Sequence, residues 1–542
     1  TGTQTTELRI DMPLILSDES KTSVSDHLKE IGCCKFCVLR FLGERYYKTY
    51  NEPTLAEDLN EPADQDLSEE PAVKRPKLGS TNPPKDEQNH IVTEKNGEAE
   101  TGDAKSAGRP QENGQNTTCI ACYSLLEPKH LKESLRQMVN GVKKSQCVFD
   151  SFKFLLSVPV ALELRHHAML LHLKSKFGEL YSEVSESDLL SVKEVWKNLV
   201  GSPFSKHFSA TFDTSSSFQV SITLPSPSAE AECAFLLEAY PGSFPNRKQR
   251  KSQCREVFTR HAVSDALRRM PDGDFTKLYP CPPPRPKPLP LETEVTCVHM
   301  PVYLAGRYCK YSRLLSQTPW ILNDKRIMET SVQELITEAV IRHIPNSRIV
   351  FSSSGREDVD VRMLGKGRPF ILEIFEPKRA TFTKSEMESI EKEINEATKD
   401  IKVNDLQVIS KSDTQVLKDG EESKRKRYTA LCCANRPLTA EDSATVSKIK
   451  DLVLKQKTPI RVLHRRNLAE RERIVYEMSL EPLEGNKFVL KMTTQAGTYV
   501  KEFVHGDFGR TTPSLGDYLN AEVDIVELDV EEIDLDWPPP RK

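Results

Sequence analysis

The sequence predicts an α+β protein in two parts: an α/β module in the first half, then a mixed, mostly antiparallel sheet with flanking helices. Three observations lead there. Apolar or alternating runs of strand length follow one another from Arg348 to Thr494 and are interrupted by a well-capped helix pattern. Ahead of residue 279, helical and strand signals mix. Between the halves lies "YPCPPPRPKPLPLE", Tyr279 to Glu292, whose repeated Pro forces an extended, semi-rigid connection. The expected domains are therefore 1–290 and 291–542.

The chain's 542 residues exceed one ordinary domain, and with 37% hydrophobic residues it can build two cores. No apolar run approaches the length of a membrane-spanning helix, so no membrane partner is expected. The first residues, "TGTQTTELRIDMPLIL", lack the basic region, apolar core and cleavage site of a signal peptide. Thirteen Cys, an odd number, favour a reducing compartment with free or metal-bound thiols.

Taken in chain order, the first chemistry is a pair of Cys-x-x-Cys knuckles. "GCCKFCVLRF" and "TTCIACYSLL" each put two thiolates on a tight turn, and four thiolates make a tetrahedral zinc site. The ligands are Cys34, Cys37, Cys119 and Cys122, with Cys33 an alternative that would change the first spacing to Cys-x3-Cys. A redox pair or buried unligated thiols are the competing readings. No open position is apparent, so one structural ion is expected. Residues 51–118 intervene, with 15 acids against 7 bases, much Pro, Glu, Gly and Asn, and no aromatic. Such a segment cannot bury enough apolar surface to offset its ordering entropy, and loop closure across it costs little more than across a short one. We read it as a disordered insertion. Within it "KRPK", Lys74 to Lys77, is a tetrapeptide of the kind nuclear import receptors grip, which suggests nuclear as well as cytoplasmic residence.

In the accessory module, "LKESLRQMVNGVKKS" and "ESDLLSVKEVWKNLV" read as amphipathic helices, "SSFQVSITL" and "ECAFLLEAY" as strands. His166 and His167 fall in a helical apolar run and are expected to be packed or surface-facing rather than catalytic.

Beyond the linker, "SSSGREDVDVRMLGKGRPF", Ser352 to Phe370, sets three acids and three arginines in a Gly-punctuated loop between the strands "RIVF" and "FILEIF". Asp358 and Asp360 are flanked by Arg356 and Arg362, so a neighbouring guanidinium can keep a carboxylate there ionised. A solvated loop with self-cancelling charges is the bland alternative. "TKSEMESIEKEIN" reads as a helix capped by Thr383, with Met387, Ile390 and Ile394 on one face. "DLQVIS", "RYTALCCA", "RVLHRR", "RIVYEMSLEPL" and "KFVLKMTT" read as strands, and "GTYVKEFVHGDFGR" as a short helix.

Net charge is −4, yet the acids are segregated into residues 51–118 and the segment "AEVDIVELDVEEIDLD", 521–536. Basic clusters remain at "NRKQRKSQCR" (246–255), "KRKR" (Lys424 to Arg427) and "RVLHRR" (Arg461 to Arg466). Three such clusters favour a polyanion, with phosphates the obvious targets.

A Gly-Arg-x-Asp loop between strands, a basic-flanked Tyr on a later strand, and Gly-Thr-Tyr-Val-Lys-x-Phe opening a helix resemble, in this order, the three active-site motifs of pseudouridine synthases. "GRYCKYSRLLSQTPW", "KTPIRVLHRR" and "AGTYVKEFVHGDFGRTTPSLG" further resemble the archaeal and eukaryotic family that modifies uridines 54 and 55 in the T-loop of tRNA. The resemblance is dense from Gly306 onward. Earlier it rests on the paired Cys-x-x-Cys, where that family carries a zinc-bearing, THUMP-like RNA-binding domain. The acidic insertion is absent from archaeal members.

The resemblance implies a nucleophilic Asp358 and an Arg356 that helps displace the target base, since a guanidinium can stack in the gap. Asp360 falls outside the Gly-Arg-x-Asp register and is expected only to orient the loop. Tyr428 would stack under the flipped uracil, near the proton lost from C5. Lys501 would pair with the catalytic carboxylate, and Val500 and Leu528 would form an apolar wall. No organic cofactor is implied. The expected partner of a monomeric chain is tRNA through its T-loop, with other structured RNA also open. Two further classes stay compatible with the residues: a non-catalytic RNA-binding protein that keeps the fold, and a zinc-dependent DNA-binding regulator. The intact set Asp358, Tyr428 and Lys501 argues against the first, and the lack of a helix-turn-helix or finger helix against the second.

Overall fold

The computed structural model describes residues 17–52, 55, 118–224, 229–244, 257–291, 293–419, 424–464 and 466–541. Nearly all of the acidic insertion, including Lys74 to Lys77, lies outside the described residues, as does the basic run 246–255. The chain packs as two compact units: Thr1–Lys132, Val160–Trp196 and Pro227–Leu289 form one, and Glu133–Pro159, Lys197–Ser226 and Pro290–Lys542 the other. Segments 133–159 and 197–226 thus precede the Pro-rich stretch in sequence but pack with the residues that follow it. Among the described residues no helix is long and apolar enough to cross a membrane.

The first unit is helical around its Cys knuckles. Helix α1 (Asp18–Glu30) is capped by Ser17, and α2 (Lys35–Phe41) starts directly after Cys34. Helix α3 (Ala161–Lys176) is buried almost all round, as its continuous apolar run demands. It packs Leu164 and Ala168 against Cys233, Leu236 and Phe275. Leu236 belongs to α4 (Phe235–Ala239), so "ECAFLLEAY" is not the strand its apolar run suggested. A short apolar run carries no period of its own, and the helix-forming Ala, Leu and Glu here turn inward onto α3. Buried Arg165 ties the second knuckle down: its guanidinium donates to the carbonyls of Ile120 (2.6 Å) and Pro284 (2.8 Å) and to Glu232 Oε1 (2.6 Å). His167 is packed, with Nδ1 2.6 Å from Glu186.

The second unit holds two main sheets. The smaller orders β2 (Thr211–Phe212), β1 (Ser151–Ser157), β3 (Phe218–Thr223) and β4 (Glu294–His299). The larger has ten strands in the order β10-β5-β9-β16-β11-β14-β13-β12-β15, with β8 pairing β9 as well. They are β5 (Val302–Lys310), β8 (Arg348–Ser353), β9 (Val361–Phe375), β10 (Ile401–Ile409), β11 (Arg425–Ala434), β12 (Lys450–Lys457), β13 (Glu470–Pro482), β14 (Lys487–Gln495), β15 (Thr511–Thr512) and β16 (Val523–Ile533). A two-stranded hairpin, β6 (Ile321–Leu322) and β7 (Lys325–Arg326), stands apart. Every pairing in the large sheet is antiparallel except β16 with β9, which matches the mixed α+β expectation.

Helices α5 (Val332–His343) and α6 (Lys384–Ala397) cover β5, β9 and β10, burying Ile336, Val340, Met387, Ile390 and Ile394. The Thr383 capping box forms, with Glu386 returning a hydrogen bond to the Thr383 N–H. Helices α7 (Val500–His505) and α8 (Leu515–Leu519) cover the other half of the sheet. Two expectations change, and a run that the sequence marked only by its charge gains a structure. The acidic run 521–536 supplies β16, a central strand whose Leu528, Val530 and Ile533 point into the core. "RVLHRR" is not a strand: Ile460–Val462 is a short 3-10 turn after Pro459. The charged loop is also shorter than Ser352–Phe370, because β9 already begins at Val361. Two of the three glycines that read as loop punctuation lie inside β9. Gly365 (φ +58°) and Gly367 (φ +80°) let it pass so close to β16 and β5 that a Cβ would meet the carbonyl oxygens of Glu531 and Tyr308 at 2.1 and 2.7 Å.

Candidate active site

The short loop between β8 and β9 sorts its charges by direction. Glu357 points inward, where its carboxylate takes the Arg368 guanidinium at 2.6 Å and the Tyr308 hydroxyl at 2.8 Å, all three buried. Arg362 turns to β16 and grips Asp529 through both oxygens, at 2.9 and 2.5 Å. Asp358 and Asp360 face outward with Arg356. The charges therefore do not cancel within the loop, and Arg362 is not the cation that serves Asp358.

That cation comes from 103 residues further on. Arg461 Nη1 donates to Asp358 Oδ2 at 2.6 Å, while its Nε and Nη2 reach Glu502 Oε1 (2.6 Å) and Oε2 (3.3 Å). Lys501, the adjacent residue on α7, donates to Asp360 Oδ2 at 2.6 Å and lies 3.9 Å from Asp358 Oδ2. Three carboxylates, Asp358, Asp360 and Glu502, and two cations, Arg461 and Lys501, are thus interleaved at one place. Partial burial pushes the Asp360 carboxyl up, but the hydrogen bond and charge of Lys501 outweigh it, and the group is held below its ordinary value. Beneath the loop, Lys310 is fully buried and donates to the carbonyls of Asp358 (3.3 Å), Val359 (2.7 Å), Leu315 (2.9 Å) and Ser312 (3.2 Å). Burial lowers this lysine to about 8.

Above the pair opens a cavity of about 410 Å³ whose walls include Trp320, Arg356, Asp358, Asp360, Arg461 and His464. Arg356 is exposed to it and bonds Thr318 Oγ1 at 3.2 Å. Val500 and Leu528 belong to one core cluster, with Tyr428 packed against it. Strand register explains the grouping. Val361, three residues after Asp358, pairs with Leu528, and Leu528 pairs with Ala430, two residues from Tyr428. Burial pushes the Tyr428 phenol up to about 12 against the opposing charge of Arg368, so it stays neutral near pH 7. No described hydrogen bond joins Tyr428 to Asp358. Of the "KRKR" bases, Lys424 is withdrawn from any phosphate-contact role, because it is buried and donates to Ser354 Oγ at 2.8 Å.

Sequence reasoning placed Arg461 in a basic cluster and left Glu502 and Lys310 without a role. The motifs containing them were the available signal. What the sequence did not carry was which acid each base meets.

In the first unit, Cys34, Cys37, Cys119 and Cys122 bring their sulfurs within 4.8 Å of one another, the one such group among the described residues that could hold a metal ion. Cys34 Sγ is 3.7 Å from Cys122 Sγ, and the Cys34 N–H donates to Cys119 Sγ at 3.3 Å. The set uses Cys34, not Cys33.

Residues 119–297 match the family described as "Eukaryotic Pus10, N-terminal", and residues 303–534 match "Pus10, C-terminal". The chain is 37% identical to the tRNA pseudouridine synthase Pus10 of Homo sapiens over 97% of its own length and 99% of the relative's. It is 39% identical to that of Mus musculus over the same shares. To the archaeal Pus10 of Thermofilum pendens it is 39% identical over 43% of this chain and 53% of the relative. A solved Cbf5-Nop10-Gar1 complex overlaps 42% of this chain and 48% of its own, at 16% identity and a TM-score of 0.24, too distant to bear on the assignment. On the full-length relatives and both domain matches, the chain belongs to the Pus10 family of tRNA pseudouridine synthases.

Proposed function

We propose that this chain isomerises uridine to pseudouridine in the T-loop of tRNA, at position 54, position 55 or both, with Asp358 as the nucleophile. The observation that carries the reading is an Asp358 carboxylate held at 2.6 Å by Arg461 on the wall of an open cavity. The reaction breaks the bond between uracil N1 and ribose C1′, turns the uracil within the pocket and closes a bond from C5 to C1′. C5 gives up its proton and N1 gains one, so no oxidant and no external energy are needed. An ionised carboxylate can attack the flipped nucleotide, at the ribose or at the base, where water is excluded. Arg356 fills the gap left in the RNA. Tyr428, neutral, offers a ring and a hydroxyl rather than a phenolate base, and Val500 with Leu528 backs it with apolar surface. Lys501 steadies the site through Asp360.

The Cys set fits structural zinc. Four metal–sulfur bonds of about 2.3 Å in a tetrahedron put sulfurs roughly 3.8 Å apart, and Cys34 and Cys122 are at 3.7 Å. The ion would staple α2 to the second knuckle. Residues 1–290 are assigned to RNA binding, in a THUMP-like role, and 291–542 to catalysis; the separate family matches over 119–297 and 303–534 support two functional parts, although 133–159 and 197–226 pack with the residues after the Pro-rich stretch. The chain works as a monomer, in nucleus and cytoplasm. Replacing Lys74 to Lys77 with Ala in a fluorescent fusion tests the nuclear part.

Asp358→Asn keeps the outline of the side chain and removes the attacking charge. Pseudouridine formation on a T-loop transcript should fall below detection while filter-binding affinity at fixed salt survives, because phosphate contacts dominate affinity. Asp360→Asn should keep measurable activity. Activity in Asp358→Asn but not in Asp360→Asn would move the nucleophile. Wild-type protein that binds T-loops and never modifies them would favour a non-catalytic RNA-binding protein.

A further inference from the structure

We propose that Trp320 is a nucleobase-stacking residue, holding a base of the RNA next to the uridine that Asp358 attacks. The proposal rests on the RNA-modifying reading of this cavity and adds a contact that no motif assigns.

The chain has three Trp. Trp196 and Trp537 are core residues, 1% and 4% exposed, whereas Trp320 is 44% exposed on the wall of the cavity that holds Asp358. Leaving an indole half in water forgoes one of the larger burial gains available to a side chain, so its position calls for a partner.

The backbone that presents it is anchored on both sides. Gln317, buried, donates to the Tyr308 hydroxyl (2.7 Å), Ser353 Oγ (3.0 Å) and the Gly355 carbonyl (3.0 Å), which ties this segment to the nucleophile's own loop. Its own carbonyl accepts the Gln333 N–H at 3.0 Å. On the far side the Trp320 carbonyl accepts from Ile327 N–H at 2.9 Å, closing the β6–β7 hairpin, whose turn residues Asn323 and Asp324 both have positive φ. Trp320 therefore stands at the fixed base of the hairpin while its ring stays open. Arg356 is bound across to Thr318, two residues from Trp320, so an indole and a guanidinium share that wall.

The chemistry of the occupant follows. An aromatic face accepts any base by stacking, and adjacent guanidinium groups meet phosphate or stack in turn. The cavity, about 410 Å³, lies within the range of small-molecule clefts, roughly 300–1,000 Å³, with room for a ring beside the flipped uracil. A loop RNA whose bases are already splayed supplies such a ring at little unstacking cost.

The indole reports on itself. Full-length protein is titrated with a T-loop hairpin RNA while tryptophan emission, iodide accessibility and filter binding are read in parallel, and pseudouridine is mapped in the same samples. Bound RNA should quench the exposed emission component and protect it from iodide in the wild type. In Trp320→Phe the quench should vanish with binding kept within a few-fold, because Phe still stacks. Trp320→Ala should raise KM by about 5- to 150-fold, the range for losing one stacked base, with a smaller change in kcat. Both variants alter an exposed ring, so their thermal melts should overlay the wild type. Pseudouridine formed with unchanged emission overturns the stacking role and leaves the activity standing. Quenching without any pseudouridine supports the stacking contact and overturns the activity. Equal KM in wild type and Trp320→Ala also overturns the proposal.

Discussion

Arg461 and Glu502 are joined by two hydrogen bonds, of 2.6 and 3.3 Å, that leave the third guanidinium nitrogen on Asp358. Glu502 is buried at 1% exposure, so it fixes the guanidinium before substrate arrives. Lys501 holds Asp360 at 2.6 Å and stands 3.9 Å from Asp358 Oδ2, a second and longer ion pair to the same carboxylate. Successive residues of one helix turn thus steer the two outward-facing carboxylates of the loop, Asp358 and Asp360.

Arg461→Met should lower kcat on a T-loop RNA by about 10²-fold, the loss typical of one preorganised active-site donor, with RNA affinity changed far less. Glu502→Gln, which keeps the shape and frees the guanidinium, should cost about tenfold. Single-turnover kinetics with a parallel binding titration separates these from a folding defect.

Lys310 gives the site a pH limit. Burial lowers it to about 8, and its ammonium holds the Asp358 and Val359 carbonyls. Activity should therefore fall as pH rises through about 8. The same lowering means the unfolded chain binds the extra proton between about 8 and the ordinary lysine value, so this group's share of global stability rises across that window and is lost as pH falls through the folded value. Lys310→Met should be slow at pH 7 already and lack the alkaline limb. Rate profiles and melts of both proteins from pH 6 to 10 check the opposing signs.

Gly365→Ala should be severe. A Cβ there would sit 2.1 Å from the Glu531 carbonyl at φ +58°, where β9 meets β16. We expect about 3 kcal/mol or more, combining left-handed strain with displaced backbone. Gly509→Ala, at φ +78° with nothing within 4 Å, should cost about 1–2 kcal/mol. Chemical denaturation of the two variants compares them.

Purified protein should carry one zinc ion per chain. Cys34→Ser with Cys119→Ser should abolish it, and a strong chelator should lower Tm, since closed thiolate sites contribute folding energy. Metal analysis without prior chelation is the check, and unchanged metal content in the double variant would remove these ligands from the assignment.

The sequence by itself determined the local features: the Thr383 cap, the strand periods of β11, β13 and β14, the two Cys knuckles, and the Gly-Arg-x-Asp, Tyr and Lys motifs with their order. Each is written in neighbouring residues, through side-chain period, capping chemistry or spacing. Tertiary structure alone decided the pairings. Only the parallel docking of β16 on β9 reveals that an acid-rich run is a core strand, because its apolar residues gain a shared face there. Only the turn after Pro459 brings Arg461 to Asp358 from 103 residues away, and only the start of α7 sets Glu502 against that guanidinium, 41 residues further on. Long-range ion pairs depend on where strands close in space, and no local period records which base will meet which acid.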